Sequence, residues 1–177
     1  MQQDNRVRSE ISALGGSSPA PQLAAFLQAG VSLQSAEEHM TASVLVVDAV
    51  SRAILLVLHP TLKMWIRPGG HVDPNELPWD AALRELEEET TLQAAFSGDP
   101  RTHFVDADTH TVAEPDGRKH VHHDLCFALE VDMRAAAATP ADGVSGVAWV
   151  LPESLDELVV AENVRRTAKE WLAKSKA

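Results

Sequence analysis

The chain is patterned differently before and after residue 40. Residues 1–20 are polar and end in GGSSPAP, which predicts a loose tail and a turn. Residues 22–29 (QLAAFLQA) read as a short helix stopped by Gly30, and residues 35–39 as another helical turn. From Thr41, two apolar and β-branched runs, TASVLVVDA and RAILLVLH, are split by a short polar turn and predict paired strands. KMWIRPGGHVD follows with a Pro-Gly-Gly break. Pro78 then opens a helix to about Glu89, because the first helical position has no intrahelical use for an N–H. Short strands are expected at 94–96 and 102–105, a longer one in HVHHDLCFALEV and another in VSGVAWV. LPESLDEL and residues 161–174 read as helices. Strands and helices mix without regular βαβ alternation, so the expected class is α+β, a sandwich with a mixed sheet. The domain spans residues 41–177, and residues 1–40 form a tail and short helical extension.

The helix from Pro78 has two distinct faces. Trp79, Ala82, Leu83 and Leu86 recur at i, i+3, i+4 and i+7 and form an apolar stripe. Glu85, Glu88 and Glu89 recur at i, i+3 and i+4 beside it, while Glu87 points elsewhere. Like charges at these spacings repel, by about 0.2–0.5 kcal/mol per exposed pair. They also sit at the negative end of the helix dipole. Arg84 is the one base in this helix. A divalent cation would relieve both penalties, and magnesium suits a few carboxylate oxygens plus water and phosphate. A solvated acidic face would read the same way on these three residues alone.

Composition narrows the partners. The 177 residues are 45% hydrophobic, enough for one domain with a core. A net charge of −11 disfavours binding to nucleic-acid polymers. It does not forbid small phosphorylated ligands, since a bound cation reverses the local sign. One cysteine, Cys126, cannot form an internal disulfide, and it reads as a small buried strand residue. The first residues lack an apolar signal core and no stretch is long enough to span a bilayer, so a cytoplasmic protein without membrane contact is expected.

From Gly70 the chain reads G-HVDPN-E-LPWDAAL-RELEEETTL. Glycine, five residues, glutamate, seven residues, then Arg-Glu-apolar-x-Glu-Glu resembles the box of the Nudix hydrolase family. The matching positions are Gly70, Glu76, Arg84, Glu85, Leu86, Glu88, Glu89 and Leu92, with Pro68-Gly69 ahead of them. So many fixed positions make the motif specific. The resemblance implies an α/β/α sandwich and a metal-dependent hydrolase that cleaves a phosphoanhydride bond in a nucleoside diphosphate linked to another moiety. It implies that Glu85, Glu88, Glu89 and the Gly69 carbonyl hold Mg2+ or Mn2+. Glu85, Glu88 and Glu89 form the catalytic set, with Glu88 or Glu89 the first candidate base. Gly70 and a Glu76–Arg84 ion pair would support the site. Asn75 falls where a left-handed residue is often needed, which asparagine tolerates. One position departs: Thr91 stands where the family normally has glycine, so the turn after the helix is expected to differ.

Beyond the box, Arg67 is placed to reach a phosphate, and Glu114, His122 and Asp124 are candidates to line a substrate cleft. His120, His122, Asp124 and Cys126 alternate onto one strand face. The run HVHH lacks partner cysteines or a second ligand pair at zinc spacing, so no zinc site is expected. The expected partner is a small diphosphate compound, and a homodimer is compatible. Two other activities share this fold. A Nudix-fold sensor would bind a nucleotide-like ligand without turnover, but such proteins usually lose a box glutamate. Isopentenyl-diphosphate isomerase uses a cysteine motif not visible here.

Overall fold

The two apolar runs after residue 38 lie in the middle of one sheet. The structure, a computed structural model, describes residues 2–14, 21–113, 116–141 and 143–174. In chain order these hold α1 (Gln2–Ser12), α2 (Pro21–Ala29), β1 (Glu38–Asp48), β2 (Ile54–Leu58), β3 (Trp65–Ile66), β4 (Gly69–His71) and α3 (Pro78–Thr90). Then come β5 (Phe104–Ala113), β6 (Lys119–Val131), β7 (Gly146–Val150) and α4 (Glu162–Lys174). The strands form a seven-stranded sheet ordered β3-β2-β1-β6-β5, with β4 also against β1 and β7 against β2. β1 and β6 run parallel, and the other pairs are antiparallel.

Helices cover both faces of this mixed sheet, giving the α/β/α sandwich. On one face Val44, Val46, Leu125 and Phe127 pack with Val7 and Ile11 of α1, Leu23 and Phe26 of α2, and Trp79 and Leu86 of α3. On the other, Leu45, Val47, Cys126 and Ala128 pack with Val164 and Ala168 of α4. The central strands are therefore apolar on both sides, which explains the unbroken VLVV run of β1. No helix among the described residues is long and apolar enough to cross a membrane.

Several elements differ from expectation, each for a local reason. Where a loose tail is expected over residues 1–20, a helix spans Gln2–Ser12, and residues 15–20 of the expected turn lie outside the described residues. Val7 and Ile11 lie one turn apart, and their stripe is narrow enough to disappear among polar neighbours. The turn at 35–39 is not helical. Ser35 Oγ accepts the Glu38 amide at 3.0 Å and donates to the Glu38 carbonyl at 2.6 Å, turning the chain into β1. β1 begins at Glu38, three residues ahead of the expected strand start at Thr41. No strand forms at 94–96, and residues 100–103 are a 3-10 turn that Asp99 caps from the Arg101 amide. β5 instead runs on to Ala113, because the long β6 offers it a partner that the polar sequence VDADTHTVA does not advertise. Pro152–Glu157 is a 3-10 turn rather than an α-helix.

Candidate functional site

The α3 helix buries Trp79, Ala81, Ala82 and Leu86 against the sheet. That orientation leaves the glutamate face beside β4. The Pro68-Gly69-Gly70 turn brings the backbone up to meet it. A Cβ on Gly70 would stand 2.5 Å from the Glu85 carboxyl carbon, so a side chain there would push that carboxylate aside. A Cβ on Gly69 would meet the Ala42 carbonyl at 2.5 Å and Ser43 Cα at 2.6 Å. Both glycines are close-approach positions.

Arg84 organises the acidic face. Its Nε donates to Glu76 Oε1 and its Nη2 to Glu76 Oε2, both at 2.9 Å, the two-pronged pairing that only guanidinium offers. Nη1 donates to Glu85 Oε1 at 2.7 Å and to Glu88 Oε2 at 3.2 Å, and Nη2 also reaches the His71 carbonyl at 2.9 Å. Glu76 Oε2 in turn accepts the Asp73 amide at 2.9 Å, which closes the loop between β4 and α3. Asn75 in that loop has φ 72°, the left-handed conformation expected of it. Burial raises the Glu76 pKa, but the Arg84 fork and the Asp73 amide outweigh it and hold the carboxyl below its ordinary value.

The three box glutamates differ in environment. Glu88 is exposed. Glu85 is half-buried, and burial raises its pKa against the opposing hydrogen bond from Arg84. Glu89 is the most strongly perturbed. Burial pushes it up to about 7, only partly offset by the Gly69 amide, which donates to its Oε2 at 3.1 Å. The Glu85 and Glu88 charges push the same way. One arginine does not neutralise this group, and its oxygens are hard donors that suit magnesium or manganese. The backbone and side chains thus fit a divalent cation.

Thr91, the residue at the departing box position, ends the helix. It caps α3 with φ 58° and ψ 3°, left-handed, and its amide donates to the Glu87 carbonyl at 2.8 Å. Its hydroxyl lies 2.9 Å from that of Thr139. The carbonyls of Glu89 and Thr90 accept amides from Ala141 and Thr139, so the segment around residue 140 holds the helix end in place.

The match across residues 37–174 is to the family model described as NUDIX domain. The chain belongs to the Nudix family. A "Putative 8-oxo-dGTP diphosphatase" of Bacillus subtilis (strain 168) is 49% identical over 47 residues, 27% of this chain and 32% of the relative. A "Probable DHNTP pyrophosphohydrolase" of Lactococcus lactis subsp. cremoris (strain MG1363) is 31% identical over 86 residues, 47% of this chain and 49% of the relative. The chain thus matches no more than about half the length of these curated relatives. Among solved structures, the MutT protein from Methanosarcina mazei Go1 superposes with a TM-score of 0.59 at 18% identity, covering 82% of this chain and 100% of that one. The fold is shared with this neighbour.

The candidates outside the box fare differently. Arg67 is 4% exposed and does not present itself to a ligand. Its Nη1 donates to Thr167 Oγ1 at 2.7 Å and to the Asn163 carbonyl at 3.1 Å, and its Nη2 to Asp124 Oδ2 at 3.1 Å. Asp124 is equally internal, accepting from Thr41 and Ser43 hydroxyls at 3.1 and 2.7 Å. Both therefore hold β1, β6 and α4 together, and neither is placed as a substrate ligand or a base. Glu114 lies outside the described residues. Cys126 is buried, and burial pushes its thiol up to about 11, far from a nucleophile. His122 does not stand alone: rings from β1, β4, β5 and β6 surround it. Sequence spacing shows only the His120–His122 pair, because the other rings reach it across the sheet.

Proposed function

We propose that this Nudix protein is a metal-dependent diphosphohydrolase acting on a nucleoside diphosphate linked to another moiety. The observation that carries the reading is the Glu85–Glu88–Glu89 cluster, crowded against Gly69 and Gly70 with a single arginine to balance it. Glu85, Glu88, Glu89 and the Gly69 carbonyl would hold Mg2+ or Mn2+. Such an ion, when bound, neutralises the diphosphate and lowers the pKa of the attacking water.

The protein groups divide the remaining work. Arg84 and Glu76 fix the loop and the helix relative to one another, so the carboxylates are presented in one geometry. Glu89, tied to the Gly69 amide, sets the distance between helix and turn. Glu88 is exposed and paired with Arg84, which makes it the first candidate to take the proton of the attacking water. Attack on phosphorus is then in line with a phosphate-bearing leaving group.

The two curated relatives carry names that specify 8-oxo-dGTP and DHNTP, both triphosphates, which supports starting a substrate screen there. The test is a panel of nucleoside triphosphates, dinucleotide polyphosphates, nucleotide sugars and pterin triphosphate, with magnesium, with manganese and with EDTA. Products are identified by mass. Cation-dependent cleavage at a phosphoanhydride bond is expected. Tight binding without turnover across the panel would replace the hydrolase with a ligand sensor.

A further inference from the structure

A second concentration of ligating side chains lies outside the glutamate cluster. The parallel register of β1 and β6 sets His39 opposite His122, and the antiparallel register of β1 and β4 sets His71 opposite Thr41. His120 is two residues along β6 from His122, hence on the same face. One nitrogen from each of His39, His71, His120 and His122 lies within 4.8 Å of the others. The His39 ring centroid is 4.6 Å from His71, 4.8 Å from His122 and 5.0 Å from His120.

The protonation pattern in this cluster suits a cation. His39 Nδ1 lies 2.9 Å from the Ser35 carbonyl, which can only accept, so Nδ1 carries the ring proton. The lone pair is left on Nε2. That atom is buried and has no hydrogen-bond partner among the described residues. An unmet buried acceptor costs about 1–3 kcal/mol. A histidine that donates through one nitrogen to a backbone carbonyl and bares the other is in the tautomer that metal-bound histidines adopt. His120 Nε2 and His122 Nε2 face each other at 2.8 Å, aiming two more imidazole nitrogens at the same space. Burial, reinforced by the neighbouring histidines, pushes His122 down to about 3, so it is neutral and ready to ligate.

We propose that His39, His71, His120 and His122 form a zinc site separate from the glutamate cluster. Four imidazoles without a carboxylate select a borderline transition ion, whereas magnesium and manganese prefer the oxygens of the box. Tetrahedral zinc with bonds of about 2.0–2.1 Å sets its nitrogens roughly 3.3–3.4 Å apart. The widest pairs close towards that spacing, and the His120–His122 pair opens slightly. Four protein ligands leave no open position, which makes the site structural rather than catalytic. It pins β4 to β1 and β6. His71 lies two residues beyond Gly69, and its carbonyl holds Arg84, so the ion steadies the turn that meets the box helix.

The test uses the full chain without a polyhistidine tag, stripped of metal and held in excess magnesium so that the carboxylates are occupied. Zinc chloride is titrated by calorimetry, and the bound metal is counted by elemental analysis after gel filtration. One zinc per chain is expected, together with a higher Tm. His71→Ala alters an exposed ring and is expected to fold normally, as circular dichroism will show, while weakening zinc binding by about tenfold or more. The double variant His39→Gln/His122→Gln is expected to lose the bound equivalent, and Glu88→Gln to keep it. Absence of zinc from the wild-type chain under excess magnesium overturns the site. So does undiminished zinc in folded His71→Ala, or zinc lost from Glu88→Gln, which would assign the ion to the box.

Discussion

Glu89 Oε2 accepts the backbone amide of Gly69 at 3.1 Å, so the last turn of α3 is fastened to the glycine turn by an acid pushed up to about 7. An acid whose pKa rises on folding favours the folded state below its unfolded value, and that benefit disappears as pH rises through the folded value. Without divalent cations, Glu89 should make the protein progressively less stable between about pH 4.5 and 7. His122, held down at about 3 chiefly by burial, tilts stability the opposite way over part of that range. The readout is therefore the difference in Tm between wild type and Glu89→Gln. That difference should favour wild type at pH 5 and shrink or reverse by pH 7.5. Magnesium should hold the wild-type advantage at high pH, and a difference independent of both pH and magnesium would sink the idea.

Glu88→Gln should lower kcat on the substrate identified in the panel by about 10²-fold or more, with an unchanged circular dichroism spectrum. Because Glu88 is exposed and its ion pair is with Arg84 at the surface, stability should change by less than about 1 kcal/mol. Full activity in Glu88→Gln, and likewise in Glu85→Gln and Glu89→Gln, would remove the carboxylates from the mechanism.

Arg67→Met should destabilise the protein by about 3–5 kcal/mol, since it strands the Asp124 carboxylate in the interior. Arg67→Met with Asp124→Asn should recover part of that loss. A folded Arg67→Met variant whose KM alone rises tenfold, with stability intact, would instead place Arg67 at the substrate.

Thr91→Gly should raise stability, by about 0.5–1 kcal/mol in urea denaturation, because a β-branched residue is strained at φ 58°. The Thr139 hydroxyl contact and the greater freedom of glycine in the unfolded chain set the upper limit of the gain. A loss of stability would show that the hydroxyl pair outweighs the backbone strain.

What the sequence reveals here depends on how local the signal is. The glutamate face, the Glu76–Arg84 pair and the left-handed Asn75 follow from spacing within one helix and its preceding loop, and the folded chain shows each. Arg67 follows a two-residue strand and precedes a Pro-Gly-Gly break, too short a run for periodicity to assign its side chain to a face. The helix at Gln2–Ser12 was hidden because it buries only a narrow stripe. The histidine cluster is only half legible, for a different reason. Zinc spacing is read along a chain, whereas His39, His71 and His122 are brought together by the registers of β1 with β4 and β6. HVHH was the visible half of that group, and an alternating pair of histidines on a strand invites a search for partners on the strands beside it.

The parallel pairing of β1 with β6 also governs the order in which this molecule can be built. Thr41 and Asp124 are bonded across 83 residues of chain, and the two strands match along all of β1. On the ribosome β1 emerges long before its central partner. Until β6 is made, the edge of β1 that it pairs with stays open, although α1 to α3, β2 and β4 are already present. Contacts of such long sequence separation are slow to close, and the incomplete sheet leaves a sticky strand edge in the meantime. Nascent chains stalled before residue 131 should therefore be the aggregation-prone species, and completing β6 should be the step that commits the chain to its native sheet.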